Sequence, residues 1–311
     1  MSTPPISITL IRRPSRDAGP ALEQFVNGGR EAGRRAPRGI DPAFVSYWIR
    51  ENIKPDCAPA SLMRVVDLLR FYERKDVLDH ITRFLTRNES EERSFRRAMY
   101  VLQAIGEVGT PEQTGFAVRY FNEHLLPQPV AIDYFALVLE TAETLATGID
   151  TSLVGRRLQS AIDAVGVPKK LDSPEAIPFL KYSDYRVNNY PSAVRTIEAK
   201  RRLSSSAPAQ RLQELLYIYL GESPFSTPSM VVWAGRLIRQ HAMSGAQTEV
   251  IAAFTQIIDG AIKSEMPKPK KEFLLLRAIQ AVIYFRGKLT FPQEAAFDAI
   301  APKYPNFLCD E

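Results

Sequence analysis

The sequence of 311 residues predicts an all-α protein built from antiparallel helix pairs. Apolar residues recur at steps of three and four, as between Phe95 and Ile105, and this period places them on one face of a helix. Glycines that end helices are followed closely by Thr-Pro or Thr-x-Pro sequences that begin the next. These signals recur along the chain, and a helix pair cannot bury its apolar faces alone, so we expect similar neighbours on either side.

The clearest helix pair lies at residues 93–121. Its first helix ends at two glycines, and Thr110-Pro111-Glu112-Gln113 begins the second. We expect Thr110 to accept a hydrogen bond from the amide of Gln113 while the Gln113 side chain reaches back, as in a capping box. Pro111 supplies the backbone torsion of a first helical residue. The short turn predicts an αα-hairpin.

Part of this hairpin carries a family resemblance. Its sequence, Arg97-Ala98-x-x-x-Leu102-x-Ala104-Ile105-Gly106-x-Val108-Gly109-Thr110-Pro111-Glu112, resembles the HEAT-type (armadillo-like) helical repeat. In that family a helix closes on leucine, a small residue and glycine, and Asp-Pro usually opens the next helix. Thr110 stands in place of the aspartate, and both residue types cap helices. The resemblance implies an α-solenoid of stacked antiparallel pairs with a long concave surface for partners.

The first half of the chain divides into a basic segment and a helical lobe. Residues 1–40 are rich in arginine and include a possible edge strand or extended arm over residues 5–11 and a short helix near Ala21–Val26. This partly flexible segment is either an arm that touches an acidic partner or a solvated leader. Residues 41–165 form the predicted N-terminal helical-repeat lobe, in which Asp41-Pro42 and Asp150 are expected to cap helices.

Residues 166–190 form a predicted irregular joint at which the helical stack bends. Three prolines interrupt this segment, and Ser173-Pro174-Glu175 provides only a short helical start. Its second half carries Tyr182, Tyr185, Arg186 and Tyr190. Tyrosine and arginine provide large contact areas in recognition surfaces. The alternative is that the tyrosines fold back and cover the end of a helix layer.

The second half contains a C-terminal helical-repeat lobe, residues 191–301, and a loose tail, residues 302–311. The lobe begins with the most basic helix of the chain. Its later helices are separated by Gly221 with Thr227-Pro228 and by Gly287 with Thr290-x-Pro292-Gln293. Between these signals, Phe273, Leu276, Ile279 and Ile283 are expected to face the core.

Composition favours a cytoplasmic protein without a membrane span. Forty Lys and Arg residues against 35 Asp and Glu residues leave a net charge of +5, which favours acidic partners only slightly. Cys57 and Cys309 are far apart and have no metal-binding spacing, so reduced thiols are expected. No segment has the pattern of a secretion signal or a membrane helix.

The chain lacks recognisable catalytic motifs. Its histidines, His80, His124 and His241, form no HExxH sequence, and the His-Glu pairs of metal-binding HEAT enzymes are missing. There is no glycine-rich phosphate loop and no GxSxG sequence. The sequence therefore predicts no enzyme activity, no metal and no cofactor. An enzyme with a pocket at the lobe junction, built from distant helices, is the second alternative.

The leading hypothesis is a non-catalytic scaffold or adaptor that binds a protein partner through its concave or joint surface. The predicted contact residues are Tyr182, Tyr185, Arg186 and Tyr190. The first alternative is a nucleic-acid-binding protein, because some HEAT-like proteins grip a duplex backbone with basic helices. Its phosphate contacts would be Arg195, Lys200, Arg201, Arg202, Lys268, Lys270 and Lys271. No oligomeric state is predicted.

Overall fold

A computed structural model describes residues 17–28, 36–85, 92–128 and 132–304. Helices are the regular structure of these ranges, and no strand occurs within them. The all-α prediction is therefore confirmed. The predicted arm at residues 5–11 and most of the predicted tail, residues 305–311, lie outside the described residues.

The chain divides into two compact units, Met1–Ile197 and Glu198–Glu311. The boundary falls inside the helix Tyr190–Ser205, beyond the predicted joint at residues 166–190. Within that joint, residues 166–175 contain no regular helix, but an α-helix runs over Ala176–Asp184 and continues through a π-helical turn, Tyr185–Asn189. The second half of the joint is thus helical rather than irregular.

Unit 1 contains nine complete α-helices in its described residues, and a tenth begins there. The helices are α1 (Ala18–Asn27), α2 (Pro42–Asn52), α3 (Pro59–Tyr72), α4 (Leu78–Thr82), α5 (Glu92–Val108), α6 (Pro111–Tyr120), α7 (Phe135–Leu145), α8 (Thr151–Val165), α9 (Ala176–Asp184) and α10 (Tyr190–Ser205). The short helix predicted near Ala21–Val26 is confirmed as α1.

Alternate helices of unit 1 pack side by side in a row formed by α1, α3, α5 and α7. α5 lies between α3 and α7, and its side chains are buried on both sides, including Met99, Leu102 and Ala104. The clearest short connection is between α5 and α6, where only Gly109 and Thr110 separate the two helices. The apolar period of α5 therefore fills the interface with two neighbours rather than with one hairpin partner.

The predicted helix caps of unit 1 are present. The Asp41 carboxylate accepts a hydrogen bond from the Ala43 amide at 2.8 Å, and Asp150 accepts one from Leu153 at 2.9 Å. At α6, the Gln113 amide donates to Thr110 Oγ1 at 3.3 Å while the Thr110 amide donates to Gln113 Oε1 at 3.0 Å. These bonds satisfy donors that a helix start leaves without intrahelical acceptors.

Unit 2 begins within α10. It continues with α11 (Pro208–Leu220), α12 (Pro228–His241), α13 (Gln247–Lys263), α14 (Lys268–Tyr284) and α15 (Phe291–Ile300). α11 packs on α12, and α13 packs on α14. The turn Ala242–Ala246 joins α12 to α13, and its sharp bend is made at Gly245, whose φ is 104°.

The core-facing side of α14 differs from the sequence prediction. Leu276 and Ile279 are buried as expected, but Phe273 and Ile283 are exposed. α14 contacts α11, α13 and α15, so its buried surface is broad and centres on other residues, including Leu274, Leu275 and Val282. A helix packed against several neighbours has a weak amphipathic period, and the inward face cannot be identified from spacing alone.

The two units share one capping arrangement. α15 begins with the same capping box as α6, formed here by Thr290 and Gln293. In unit 1 the Gln113 side-chain amide also donates to Asp79 Oδ1 at 3.3 Å, and in unit 2 that of Gln293 donates to Asp259 Oδ1 at 2.7 Å. Each pair is separated by 34 residues. The capping glutamine therefore joins a helix start to an earlier helix.

We predict that Gln293→Ala destabilises unit 2 by about 1–2 kcal/mol, because it removes the cap and leaves Asp259 without that donor. Gln113→Ala should cost unit 1 less than about 1 kcal/mol, since Gln113 is only half-buried and its bond to Asp79 is longer. The measurement is urea unfolding followed by fluorescence, in a Trp48→Phe background that leaves only Trp233 in unit 2 and in a Trp233→Phe background that leaves only Trp48 in unit 1. Equal losses in both units would contradict the prediction.

Candidate functional site

The tyrosines predicted to bind a partner face the interior of unit 1. Tyr182 is 4% exposed and belongs to the core, while Tyr185 and Tyr190 are partly buried against it. The Tyr190 hydroxyl donates to the Thr151 carbonyl at 2.6 Å. Burial raises the pKa of Tyr182 and of Tyr190. This arrangement corresponds to the alternative in which tyrosines cover a helix layer.

Tyr190 also packs closely on α8. A Cβ atom at Gly155 would lie 2.5 Å from the Tyr190 hydroxyl oxygen, so a larger residue there would displace the Tyr190 side chain. Arg186, the fourth predicted contact residue, is exposed and donates a hydrogen bond to Gln159 Oε1 of the same helix α8. All four residues therefore contribute contacts within unit 1, and Arg186 alone lies at the surface.

The opposite face of α9 is apolar and exposed, and the sequence analysis missed it. Ile177, Leu180 and Val187 are 45–68% exposed. Val167 and Leu171, in the segment that leads into α9, are also exposed. We call these five residues the α9 face. The available sequence signal was the spacing of three residues from Ile177 to Leu180 and of seven from Leu180 to Val187, which lies in the π-helical turn after α9.

Pro178 explains why this helix was not predicted. Proline normally interrupts a helix because it lacks an amide hydrogen and crowds the preceding turn. Pro178 is the third residue of α9, where the amide has no intrahelical acceptor. The proline is therefore compatible with the helix that continues through Tyr182.

The basic residues of α10 are largely engaged in contacts within unit 2. Lys200 is buried, with its ammonium 5.5 Å from the centre of the Trp233 ring. Arg202 pairs with Glu214 at 2.6 Å and lies over the Phe225 ring. Arg201 is half-buried, and Arg195 is an exposed residue of unit 1. These contacts reduce the positive charge available to a phosphate backbone.

The basic residues at the start of α14 also have partners. Lys270 pairs with Glu222 at 2.7 Å. Lys271 donates to the carbonyls of Ile262 and Ser264 at 2.7 and 3.0 Å, which lie at the end of α13. Lys268 is exposed. Both basic stretches reach the loop 221–227, since Arg202 contacts Phe225 and Lys270 contacts Glu222.

A polar cluster that the sequence analysis did not identify crosses the α3, α5 and α7 row. Arg70 lies 3.0 Å from Glu107 and 3.8 Å from Asp67. The Gln103 side chain donates to Thr141 Oγ1 at 3.1 Å. The residues of the two hydrogen-bonded pairs are 37 and 38 positions apart in sequence. The recurrence of polar residues at this separation was the only sequence signal for the cluster. The cluster joins successive helices of the row.

Burial dominates the electrostatics of this cluster. It raises the pKa of Asp67 even though Arg70 and Arg64 act in the opposite direction. In α5, burial likewise raises the pKa of the Tyr100 hydroxyl, against the effect of Arg96 and together with a smaller effect of Asp67. Both shifts disfavour the ionised side chain. Since Arg70 also contacts Glu107, the geometry is that of a structural ion pair network rather than an acid and base around a cavity.

Two classes of site are not found in the described ranges. No three or more His, Cys, Asp and Glu side chains there are arranged to bind a metal ion. No helix in those ranges combines the length and apolar character needed to cross a membrane.

Comparison with known proteins adds no assignment. No protein-family profile matches the chain, and no match is found among curated proteins or among solved structures. The exposed surfaces of the two units are therefore the basis for a functional proposal.

We predict opposite effects for two substitutions around Arg70. Asp67→Asn should stabilise the protein at pH 7, because it removes a carboxylate whose ionisation burial disfavours. Since the folded pKa of Asp67 is raised, its contribution to stability is greatest below the ordinary carboxyl pKa and is lost as pH rises through the raised value. The stability gained by Asp67→Asn relative to the wild type should therefore disappear towards pH 3, where Asp67 is protonated.

Glu107→Gln is the matched control, and it should destabilise the protein at pH 7 by up to about 1 kcal/mol, since it removes the closer partner of Arg70. Urea unfolding at several pH values measures both effects. A stability loss for Asp67→Asn at pH 7 would show that its contact with Arg70 outweighs the cost of burial.

Proposed function

We propose that this chain is a non-catalytic, cytoplasmic protein-interaction module with the helix arrangement of an α-solenoid. The row of alternate helices supports this arrangement, because stacked repeats pack equivalent helices side by side. Contacts at separations of 37 and 38 residues agree with a HEAT-like repeat of roughly 40 residues. Repeat stacks commonly serve as scaffolds, although the fold alone does not specify the partner.

The single observation that carries the proposal is the exposed α9 face. It comprises five large apolar side chains, each at least 45% exposed, that lie along α9, the π-helical turn after it and the segment before it. Clustered exposed apolar side chains are typical of protein-binding surfaces, whereas isolated ones need no explanation. The buried tyrosines behind them would hold α9 in place.

The binding residues of the proposal are therefore the outward residues of α9, with Arg186 at their edge. Arg186 is adjacent to Val187 and remains exposed while it bonds Gln159. An arginine beside an apolar surface suits a partner with apolar side chains and a flanking acceptor. Tyr182, Tyr185 and Tyr190 become supporting residues rather than contacts.

Local chemistry supports a non-catalytic role. Glu107 and Asp67 contact Arg70, so neither is an isolated acid in a cleft. Burial raises the pKa of the half-buried Cys57 thiol despite the nearby Arg97, and a raised pKa lowers the thiolate fraction at neutral pH. We therefore assign none of these groups a reaction.

Nucleic-acid binding is a second proposal, favoured by the approach of both basic stretches to loop 221–227. The internal partners of Lys270, Lys271 and Arg202 weaken it. We expect no more than weak binding to mixed-sequence DNA or RNA in fluorescence anisotropy. Micromolar affinity that falls steeply between about 50 and 200 mM salt would instead make this the leading proposal.

The α9 face can be tested with the triple variant Ile177→Glu, Leu180→Glu and Val187→Glu. We expect this variant to lose at least about tenfold of its affinity for a captured partner, because each charge would be desolvated in the interface. The wild-type protein is immobilised, its bound proteins are identified by quantitative mass spectrometry, and the strongest is purified for titration against each variant.

Tyr47→Glu is the matched control, since Tyr47 is exposed in unit 1 but lies outside the α9 face. The control should bind as the wild type does, and circular dichroism should show equal helix content in all proteins. If the triple variant retains full affinity for every captured protein, the α9 face is not the interface. Sedimentation velocity adds a further outcome, in which the variant abolishes self-association and the partner is a second copy.

A further inference from the structure

A second candidate site is a shallow groove within unit 2, of about 310 Å³. It lies between the turn that joins α12 to α13 and the end of α14. The lining residues are Arg239, Ala242, Met243, Gln247, Tyr284, Phe285 and Arg286. The groove thus combines two guanidinium groups with apolar and aromatic side chains.

Arg286 occupies a backbone position that normally favours glycine. Its φ is 58°, in the left-handed region, where a side chain is disfavoured. The Arg286 amide donates to the Ile283 carbonyl and the Gly287 amide donates to Val282, both at 2.8 Å. These two bonds are those of a Schellman motif, and Arg286 is the residue at which the motif requires the left-handed conformation.

Unit 2 contains the same motif at the end of α11, where the left-handed residue is a glycine. Gly221 has a φ of 83° and donates to Ile218, and the next amide, of Glu222, donates to Tyr217. The two motifs have the same hydrogen-bond spacing but differ in this residue. α14 therefore ends with an arginine at a position that glycine fills without strain elsewhere in the unit.

The glycine beside Arg286 has a separate steric role. A Cβ atom at Gly287 would lie 2.7 Å from Val282 Cγ1 and 2.9 Å from Ile251 Cγ2, so this position admits no side chain without movement. Gly287 therefore does not relieve the strain at Arg286. A cation at a helix C-terminus interacts favourably with the helix dipole, but Lys288, two residues later, also carries a positive charge. The helix dipole alone therefore does not explain an arginine at position 286, and a binding role of its guanidinium in the groove would explain it.

The groove offers both charge and apolar contact. Met243 and Tyr284 are 74% and 62% exposed. The Gln247 side chain donates to the Phe285 carbonyl at 2.6 Å and so connects the start of α13 to the end of α14. The carboxylate of Glu249, in the first turn of α13, lies 3.4 Å from His241 Nε2. Among the described residues, no carboxylate forms an ion pair with Arg286.

From these observations we propose that the groove binds a short acidic peptide segment that carries apolar side chains. Guanidinium groups bind carboxylates through paired, charge-assisted hydrogen bonds, which Arg286 would provide in this groove. The flexible Met243 side chain and the Tyr284 ring would contact the apolar residues of the peptide. The strain at Arg286 is then a cost in stability that is retained for binding.

The test measures peptide binding and stability in the full chain. The probe is a fluorescein-labelled decapeptide of alternating glutamate and leucine, titrated by anisotropy. Arg286→Gly should weaken binding by about tenfold or more, because it removes one charged contact. The same variant should raise the thermal unfolding midpoint of unit 2 by roughly 2–4 °C, because glycine relieves the left-handed strain.

Arg286→Ala should bind as weakly as Arg286→Gly without the gain in stability, while Arg286→Lys should keep part of the affinity. Glu73→Gly is the matched control, since Glu73 is also left-handed, with a φ of 53°, but lies in unit 1. This control should bind the peptide as the wild type does.

Several results would overturn the proposal. These are no binding of the decapeptide by the wild type, unchanged binding by Arg286→Gly, or equal binding of a decapeptide with lysine in place of glutamate. Full competition by inorganic phosphate at equal concentration would assign the groove to a free anion instead. The α9 triple variant should bind the decapeptide normally, so failure at one site is distinguishable from failure at the other.

Discussion

The burial of α5 between α3 and α7 is the constraint on which unit 1 depends. A single hairpin would leave one side of α5 in water, and its apolar residues cover more than one face. Packing with two neighbours removes those residues from solvent and places Arg70 beside Glu107 and Gln103 beside Thr141. The polar contacts across the row therefore follow from apolar packing, and they fix which residues of successive helices meet.

Helix caps were predictable from the local sequence, whereas the α9 helix and the buried side of α14 were not. The caps at Asp41, Thr110 and Asp150 need only neighbouring amides, so the residue types and spacing were sufficient. The sequence does not predict the α9 helix because proline usually ends a helix, whereas Pro178 lies in the first turn of α9, where proline is tolerated. The inward face of α14 was predicted incorrectly at Phe273 because several neighbours cover that helix.

Side-chain orientation was also not predictable for the proposed binding residues. The sequence singled out the segment that contains α9, but it could not show that Tyr182 faces inward and Leu180 outward. It identified lysines and arginines but not their partners, since Glu222 is far from Lys270 in sequence and meets it only in the folded unit. The orientation of a helix about its own axis decides which residues reach a ligand, and tertiary packing sets that orientation.

The position of the unit boundary inside α10 affects how the chain could be divided. Hydrogen bonds of an α-helix link each residue to one four positions earlier, so a cut between Ile197 and Glu198 would leave unpaired amides and carbonyls on both sides. Ile197 belongs to one core and Leu203 to the other. Two fragments would each retain a complete α10 only if both included Tyr190–Ser205. The boundary between the two compact units is therefore not a position at which the chain can be cut without breaking a helix.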